Sequence, residues 1–311
     1  MLAKLVRFLC FLDDLAEVLV FHVLFSRKNW KKTVGVALLA GLLMVQGSWA
    51  PRRKPVRPVA PPAMTALQLS DAGYDLLLKG HHRDAILRLE AAVAQEPGNP
   101  VFQQRLGLAY LETSKNELAK DALERSWRLK HSRTTLFYLG CAYQSLKLHD
   151  IAIGVFNQVK SASTKETPMV EAPLGYEAVA QAKIGECYYR QGNYDRAIEV
   201  LTRNIAEYPN YPHSYFYLGI AQWDRGNPDL GVEQMFKVIE LYPEESSAYY
   251  NVACYYAIKG IPDLALVWLE KALDHGFVQF AHMRSDHDLD SIRNLPAYKK
   301  LIAKHALRSR E

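Results

Sequence analysis

The sequence predicts an all-α solenoid assembled from helix pairs, and three observations carry that prediction. Small residues recur with a period of 34: Gly73 and Gly107 stand one period apart, and so do Gly185, Gly219 and Ala253. A second small residue follows each of these at a spacing of twelve, at Ala85, Ala119, Ala197, Gly231 and Ala265. Pro97, Pro209 and Pro243 then fall at one shared phase of the same period. A period in this range marks a stacked array of supersecondary units, because one such unit cannot bury its apolar face alone.

Six units are read, beginning near Ala66, Pro100, Arg133, Ala178, Pro212 and Ser246. Within each, a small residue on the first helix and another on the second let the two backbones approach, as ridge-into-groove packing requires. Apolar residues at helical spacing, such as Leu106, Tyr110 and Leu123, face the neighbouring helix. Gly and Asn punctuate the short turn, and Pro ends the second helix. The fourth unit is the cleanest copy, with Ile184-Gly185, Tyr188, Gly192, Ala197, Leu201 and Pro209 in register. These residues resemble the tetratricopeptide repeat over residues 66–276. The resemblance implies a right-handed α-solenoid of about six helix-turn-helix units whose first helices line a concave groove. Some units depart from the pattern. Ser126 stands where the family prefers Ala, Val159 takes the equivalent place in a third unit that starts one residue early, and Gln222 replaces a usual aromatic.

An insertion at residues 161–175, containing Pro168 and Pro173, separates the third and fourth units. It reads as a loop, since both prolines oppose a helix interior, or as a backward extension of the next helix. Residues 277–311 read as a cap. Leu289, Ile292, Leu295, Leu301 and Ile302 fall at helical spacings on either side of Pro296 and supply a lid for the last unit. Asp288-Leu289 and Pro296-Ala297-Tyr298-Lys299 resemble the closing segment of many such arrays.

The first 65 residues have another character. Residues 33–50 carry no charge, Arg27, Lys28, Lys31 and Lys32 precede them, and Ser48-Trp49-Ala50 ends them on a small-x-small pattern. That combination reads as a secretory signal, although Pro51 after the cut and the early chain start oppose it. The alternative is a membrane anchor at the lower limit of spanning length. Lys4, Arg7, Asp13, Asp14 and Glu17 share one side of a helix opposite a broad apolar face, which suits an interfacial helix. A translation start near Val23 or Leu24 would remove that stretch altogether. Basic residues flank the apolar run on both sides, so charge does not set its topology; the Ser-x-Ala ending favours export of the array. Residues 51–65 follow as a linker rich in Pro and basic residues.

Composition narrows the function. Six basic and three acidic groups lie in residues 1–50, so the formal net charge of +5 falls to +2 for a form starting at Pro51. That argues against nucleic acid as a partner, which calls for a concentrated basic face. Cys141 and Cys254 occupy one repeat position in separate units, too far apart to bridge, and Cys187 lies one position on. The stretch Asp286-His287-Asp288-Leu289-Asp290 opens like a calcium loop but has Ser291 and Ala297 where an EF-hand needs Gly and Glu. It is read as helix-start charge, and no metal or cofactor is expected. No phosphate loop, nucleophile elbow or zinc-binding motif is present in the sequence, so no enzyme activity is expected.

Binding is left as the expected work. The groove positions implied by the resemblance fall on Tyr74, on Phe137 and Gln144, and on Glu186, Tyr189 and Arg190. The fifth unit adds His213, Phe216, Trp223 and Asp224, and the sixth adds Tyr250. Aromatic residues with scattered charge suit a peptide or helix with apolar anchors, though each ring also has a packing alternative against adjoining helices. The expectation is a scaffold or adaptor, held at a membrane through residues 1–50 or exported, that binds a protein partner. Self-association into an envelope assembly is the alternative, and a non-catalytic subunit of an enzyme complex comes third.

Overall fold

The structure, a computed structural model, describes residues 64–161 and 175–308. The N-terminal segment, residues 51–63 of the linker and residues 162–174 of the insertion lie outside the described residues, so the signal, anchor and interfacial-helix expectations fall there. Among the described residues every regular element is helical. None of these helices is long and apolar enough to cross a membrane. The chain divides into two units, residues 1–97 and residues 98–311.

The first unit contains one described helix pair, α1 (Ala66–Leu78) and α2 (His82–Gln95). Thr65 starts α1 with a reciprocal capping box, its side chain accepting from the Gln68 N–H while Gln68 accepts from the Thr65 N–H.

The second unit holds five further pairs and a cap. The pairs are α3 (Pro100–Glu112) with α4 (Asn116–Leu129), α5 (Arg133–Ser145) with α6 (His149–Ser161), and α7 (Tyr176–Arg190) with α8 (Tyr194–Glu207). Then come α9 (Pro212–Asp224) with α10 (Pro228–Leu241) and α11 (Ser246–Ile258) with α12 (Pro262–Asp274). The cap is α13 (Phe280–Ser285), a 3-10 turn at His287–Leu289, α14 (Asp290–Arg293) and α15 (Pro296–Arg308). Local chemistry sets the starts. Asn99, Ser132 and Asn193 accept hydrogen bonds from the first-turn N–H groups, and Pro100, Pro212, Pro228 and Pro262 occupy first-turn positions where no N–H is needed.

The period has a direct packing cause. Each socket glycine on a first helix faces one large side chain sixteen positions on: Leu89, Leu123, Phe156, Leu201 and Met235, all almost fully buried. A Cβ at Gly107 would lie 2.5 Å from Leu123 Cγ, and one at Gly185 would lie 2.5 Å from Leu201 Cγ. The glycines are therefore sockets, and the helices can close only while the sockets stay empty. The small residues at the twelve-residue spacing, Ala85, Ala119, Ala152, Ala197 and Ala265, are fully buried where the paired backbones cross.

Two irregular positions also have a physical reason. Ser126 donates to Pro100 O at 2.8 Å and pairs with Thr135 Oγ1 at 3.2 Å, tying α3 and α4 to α5. Asn204, its equivalent in the α7–α8 pair, donates to Ala178 O at 3.0 Å and to Ser214 Oγ at 2.8 Å, tying that pair to α9. A polar side chain here staples one pair to the next. Helix α7 begins at Tyr176, after Gly175 with a φ of +91°, so it starts two residues ahead of the expected unit boundary.

The cap closes the last pair as expected. Phe277, Met283, Leu289, Ile292 and Tyr298 join Tyr249, Tyr250, Ala253, Leu269 and Leu273 in one buried cluster. Leu289 and Ile292 are fully buried, each contributing about 1.5–3 kcal/mol of transfer free energy. Ser291 adds a hydrogen bond to Ala257 O at 2.8 Å.

Candidate functional site

The first helices α7, α9 and α11 carry the polar and aromatic side chains that surround three adjoining hollows. Glu186 on α7 is the hub of the first. Its carboxylate is buried, yet it accepts from Lys183 Nζ at 2.8 Å, Arg190 Nε at 2.9 Å, Tyr217 Oη at 2.7 Å and His213 Nε2 at 3.2 Å. Burial opposes its ionisation, but the His213 hydrogen bond and the Lys183 charge outweigh burial and hold the carboxyl well below the usual carboxylate range. Lys183 is raised in turn: burial disfavours its charge, and Glu186 more than offsets that. His213 is lowered by burial despite its bond to Glu186, which leaves a neutral imidazole beside a fixed anion. Burial and the Glu186 charge push the Tyr217 hydroxyl up to about 12, so it stays a donor.

Around this hub opens a cleft of about 880 Å³, lined by Gln144, Lys147, His149, Lys183, Glu186, Tyr189, Arg190 and Tyr194 among others. A second hollow of about 330 Å³ has His213, Phe216, Tyr217 and Tyr242 as walls. The third, about 320 Å³, lies between α9, α11 and the cap, with Trp223, Asp224, Tyr250, Phe277, Asp286 and Asp288 around it. Shared walls make them neighbours. Tyr189 lines the first and third hollows and donates to Asp224 Oδ2 at 2.9 Å. Tyr217 lines the second and bonds the hub of the first. Its ring also meets His213 at 4.7 Å and Tyr189 at 5.9 Å between centroids.

In the third hollow Asp286 accepts from Tyr250 Oη and from the Asp288 N–H at 3.0 Å, capping the 3-10 turn. Tyr250 stacks on Phe277 with centroids 4.2 Å apart. Burial, then Asp286 and Asp224, push the Asp288 carboxyl up, and burial with Asp286 pushes the Cys254 thiol well up. Ligand-type atoms of Cys254, Asp286 and Asp288 lie within 4.8 Å of one another. The protonated thiol is there a donor to Asp286, at 3.8 Å.

Of the side chains predicted for the groove, Gln144, Glu186, Tyr189 and Arg190 meet in the first cleft, His213 and Phe216 in the second hollow, and Trp223, Asp224 and Tyr250 in the third. Phe137 is a correction. It is buried against Phe156 and Tyr176 at centroid distances of 5.8 and 6.1 Å, because α7 packs over that face of α5. Tyr74 is half-buried on α1, in the first unit. Lys183, Tyr217 and Asn251 line the hollows without having been predicted. They stand 34 residues apart, so the repeat that revealed the fold also marks them.

Residues 180–211 match the sequence pattern of the tetratricopeptide repeat. The α7–α8 pair is a tetratricopeptide repeat. The other pairs share its sockets, turns and lengths, so the fold is an all-α array of this type with C-terminal capping helices. Among solved structures the chain is similar to PilW, described as a widely conserved type IV pilus biogenesis factor, at 16% identity and a TM-score of 0.57, over 72% of this chain and 96% of that one. It is also similar to a chain of the APC/C hetero-tetramer Cut9–Hcn1, at 12% identity and a TM-score of 0.55, over 78% of this chain and 42% of that one. MamA residues 41-end from Desulfovibrio magneticus RS-1 gives 18% identity and a TM-score of 0.47, over 58% and 96%. No curated protein matches the chain in sequence.

Proposed function

We propose that this chain is a non-catalytic protein-interaction scaffold that holds a segment of a partner protein along the first-helix face of α7, α9 and α11. The observation carrying this reading is the run of three adjoining hollows along equivalent helices, with aromatic walls at Tyr189, Tyr217, Phe216 and Trp223. A repeated surface of half-buried rings between charged groups suits an extended or helical segment, which places an anchor in each hollow. The one deeply buried carboxylate in the face, Glu186, is saturated by four side chains and held ionised, a state suited to fixing helices in place rather than to proton transfer. Residues 1–50 supply a signal or an anchor, so the array works at or beyond a membrane.

Affinity capture with the full chain tests this. Phe216→Ala combined with Trp223→Ala should lose a partner that the parent chain retains, while the helical melting transition persists. A partner retained equally by both proteins would refute the groove reading. Loss of the melting transition would make both rings core, with the same consequence.

A further inference from the structure

Four side chains with metal-ligating atoms converge in the third hollow, and three of them come from the cap. Cys254 on α11 lines the hollow at 2% exposure, and the cap supplies His282 from α13, Asp286, and Asp288 from the 3-10 turn. Cys254 Sγ lies 3.8 Å from Asp286 Oδ2, and His282 Nε2 lies 3.5 Å from that same oxygen. Ligands at about 2.0–2.3 Å from a tetrahedral zinc ion stand about 3.3–3.8 Å from one another. Those two spacings are therefore already the spacings of ligands around one centre. Asp288, half-buried on the turn, brings a carboxylate oxygen within 4.8 Å of both Cys254 and Asp286, so a shift of about 1 Å completes the set.

The surroundings favour a cation. Asp224, Asp286 and Asp288 line the hollow, and among its described lining residues no Lys or Arg faces them. Asp286 also has the support that ligating carboxylates commonly have. Tyr250 Oη donates to its Oδ2 and the Asp288 N–H to its Oδ1, which fixes the group while leaving lone pairs on both oxygens. Tyr250 is itself held by stacking on Phe277 at 4.2 Å.

The donor set selects the ion. Calcium and magnesium take oxygen ligands, whereas a thiolate and an imidazole beside carboxylates suit zinc. The sequence did not display this set, because Cys254 precedes Asp286 by 32 residues and zinc motifs pair their ligands a few residues apart.

The geometry points to a zinc site in which Cys254, His282, Asp286 and Asp288 clamp α11 to the cap. On binding, the Cys254 thiol gives its proton to solvent, and the thiolate, the neutral imidazole and two carboxylates form the tetrahedral shell. The clamp steadies the wall that Trp223 and Tyr250 share, and it stands whether or not a partner lies along the groove.

The test titrates zinc chloride, and cobalt chloride as its coloured substitute, into the full chain after treatment with a chelator. One equivalent of zinc should bind and raise the melting transition. Cobalt should give a thiolate-to-metal charge-transfer band together with the visible bands of a tetrahedral ion. Cys254→Ala should abolish the charge-transfer band and weaken zinc at least about 100-fold, while Tyr250→Phe, which removes support from Asp286, should weaken it about tenfold. Asp288→Asn should weaken zinc by at least about tenfold while leaving the metal-free melting transition intact. Zinc bound without a charge-transfer band, or bound equally by Cys254→Ala, would place the ion on other side chains and overturn the proposal. So would an absence of saturable binding. If Cys254→Ala lacks a cooperative melt, Asp288→Asn decides: an unchanged zinc affinity there overturns the site, and the expected loss supports it.

Discussion

The cleft around Glu186 and the hollow around Asp286 employ carboxylates in opposite ways. Glu186 is surrounded by donors and cations from α7 and α9, and they hold its charge in place. Asp286, Asp288 and Asp224 line one cavity with aromatic walls, and burial, then Asp286 and Asp224, push the Asp288 carboxyl up. Both regions border first helices, but Asp286 and Asp288 come from the cap, so the backbone that supplies the carboxylates differs. The repeat adds to the contrast by placing Lys183 in the fourth unit, Tyr217 in the fifth and Asn251 in the sixth at one equivalent position. A repeated scaffold keeps its sockets constant while the charge of its inner face changes along the array.

That contrast fixes the sign and size of three substitutions. Glu186→Gln should have the largest effect, on the order of 3 kcal/mol at pH 7, because it leaves Lys183 and Arg190 facing a neutral group. The carboxyl is depressed in the fold, so its contribution is present above the unfolded value near 4.5 and is lost as pH falls below it. Urea unfolding at a series of pH values should therefore show the gap between parent and variant closing in acid. Tyr250→Phe should cost about 1 kcal/mol, since one hydrogen bond to Asp286 disappears while stacking on Phe277 remains. Asp288→Asn should be neutral or stabilising by about 0.5 kcal/mol at pH 7 in a thermal melt. Its carboxyl is raised, so the ionised form weakens the fold above the unfolded value, and the amide removes that effect. Should Asp288→Asn instead cost as much as Glu186→Gln, the two regions would be alike and the comparison would break.

Much of this architecture was readable because its cause repeats. A glycine facing Leu123 and another facing Leu201 obey the same steric demand, so the demand appears as a period. The cap was legible for a related reason, since Leu289 and Ile292 had to sit on one face to cover the last pair. The turns were partly legible. Gly192, Gly226 and Gly260 take positive φ, but Ser114 and Lys147 take it in the irregular units without the expected residue. The site was harder. Phe137 and Phe216 hold the same unit position, yet α7 covers the first, while the second lines an open hollow. Which neighbour covers a ring depends on the next pair, and a single-unit pattern does not contain that. The Glu186 hub was missed as a hub because its partners come from two helices: Lys183 and Arg190 on its own, His213 and Tyr217 on the next.

The most direct measurement of the central claim is site-specific photo-crosslinking in the intact protein. A benzophenone side chain at Trp223, on the first-helix face, is compared with one at Phe236, an exposed ring on α10. The account predicts a crosslink to one protein partner from position 223, suppressed by Phe216→Ala, and none from position 236. A crosslink from position 236 alone would place the partner on the second-helix face and contradict it.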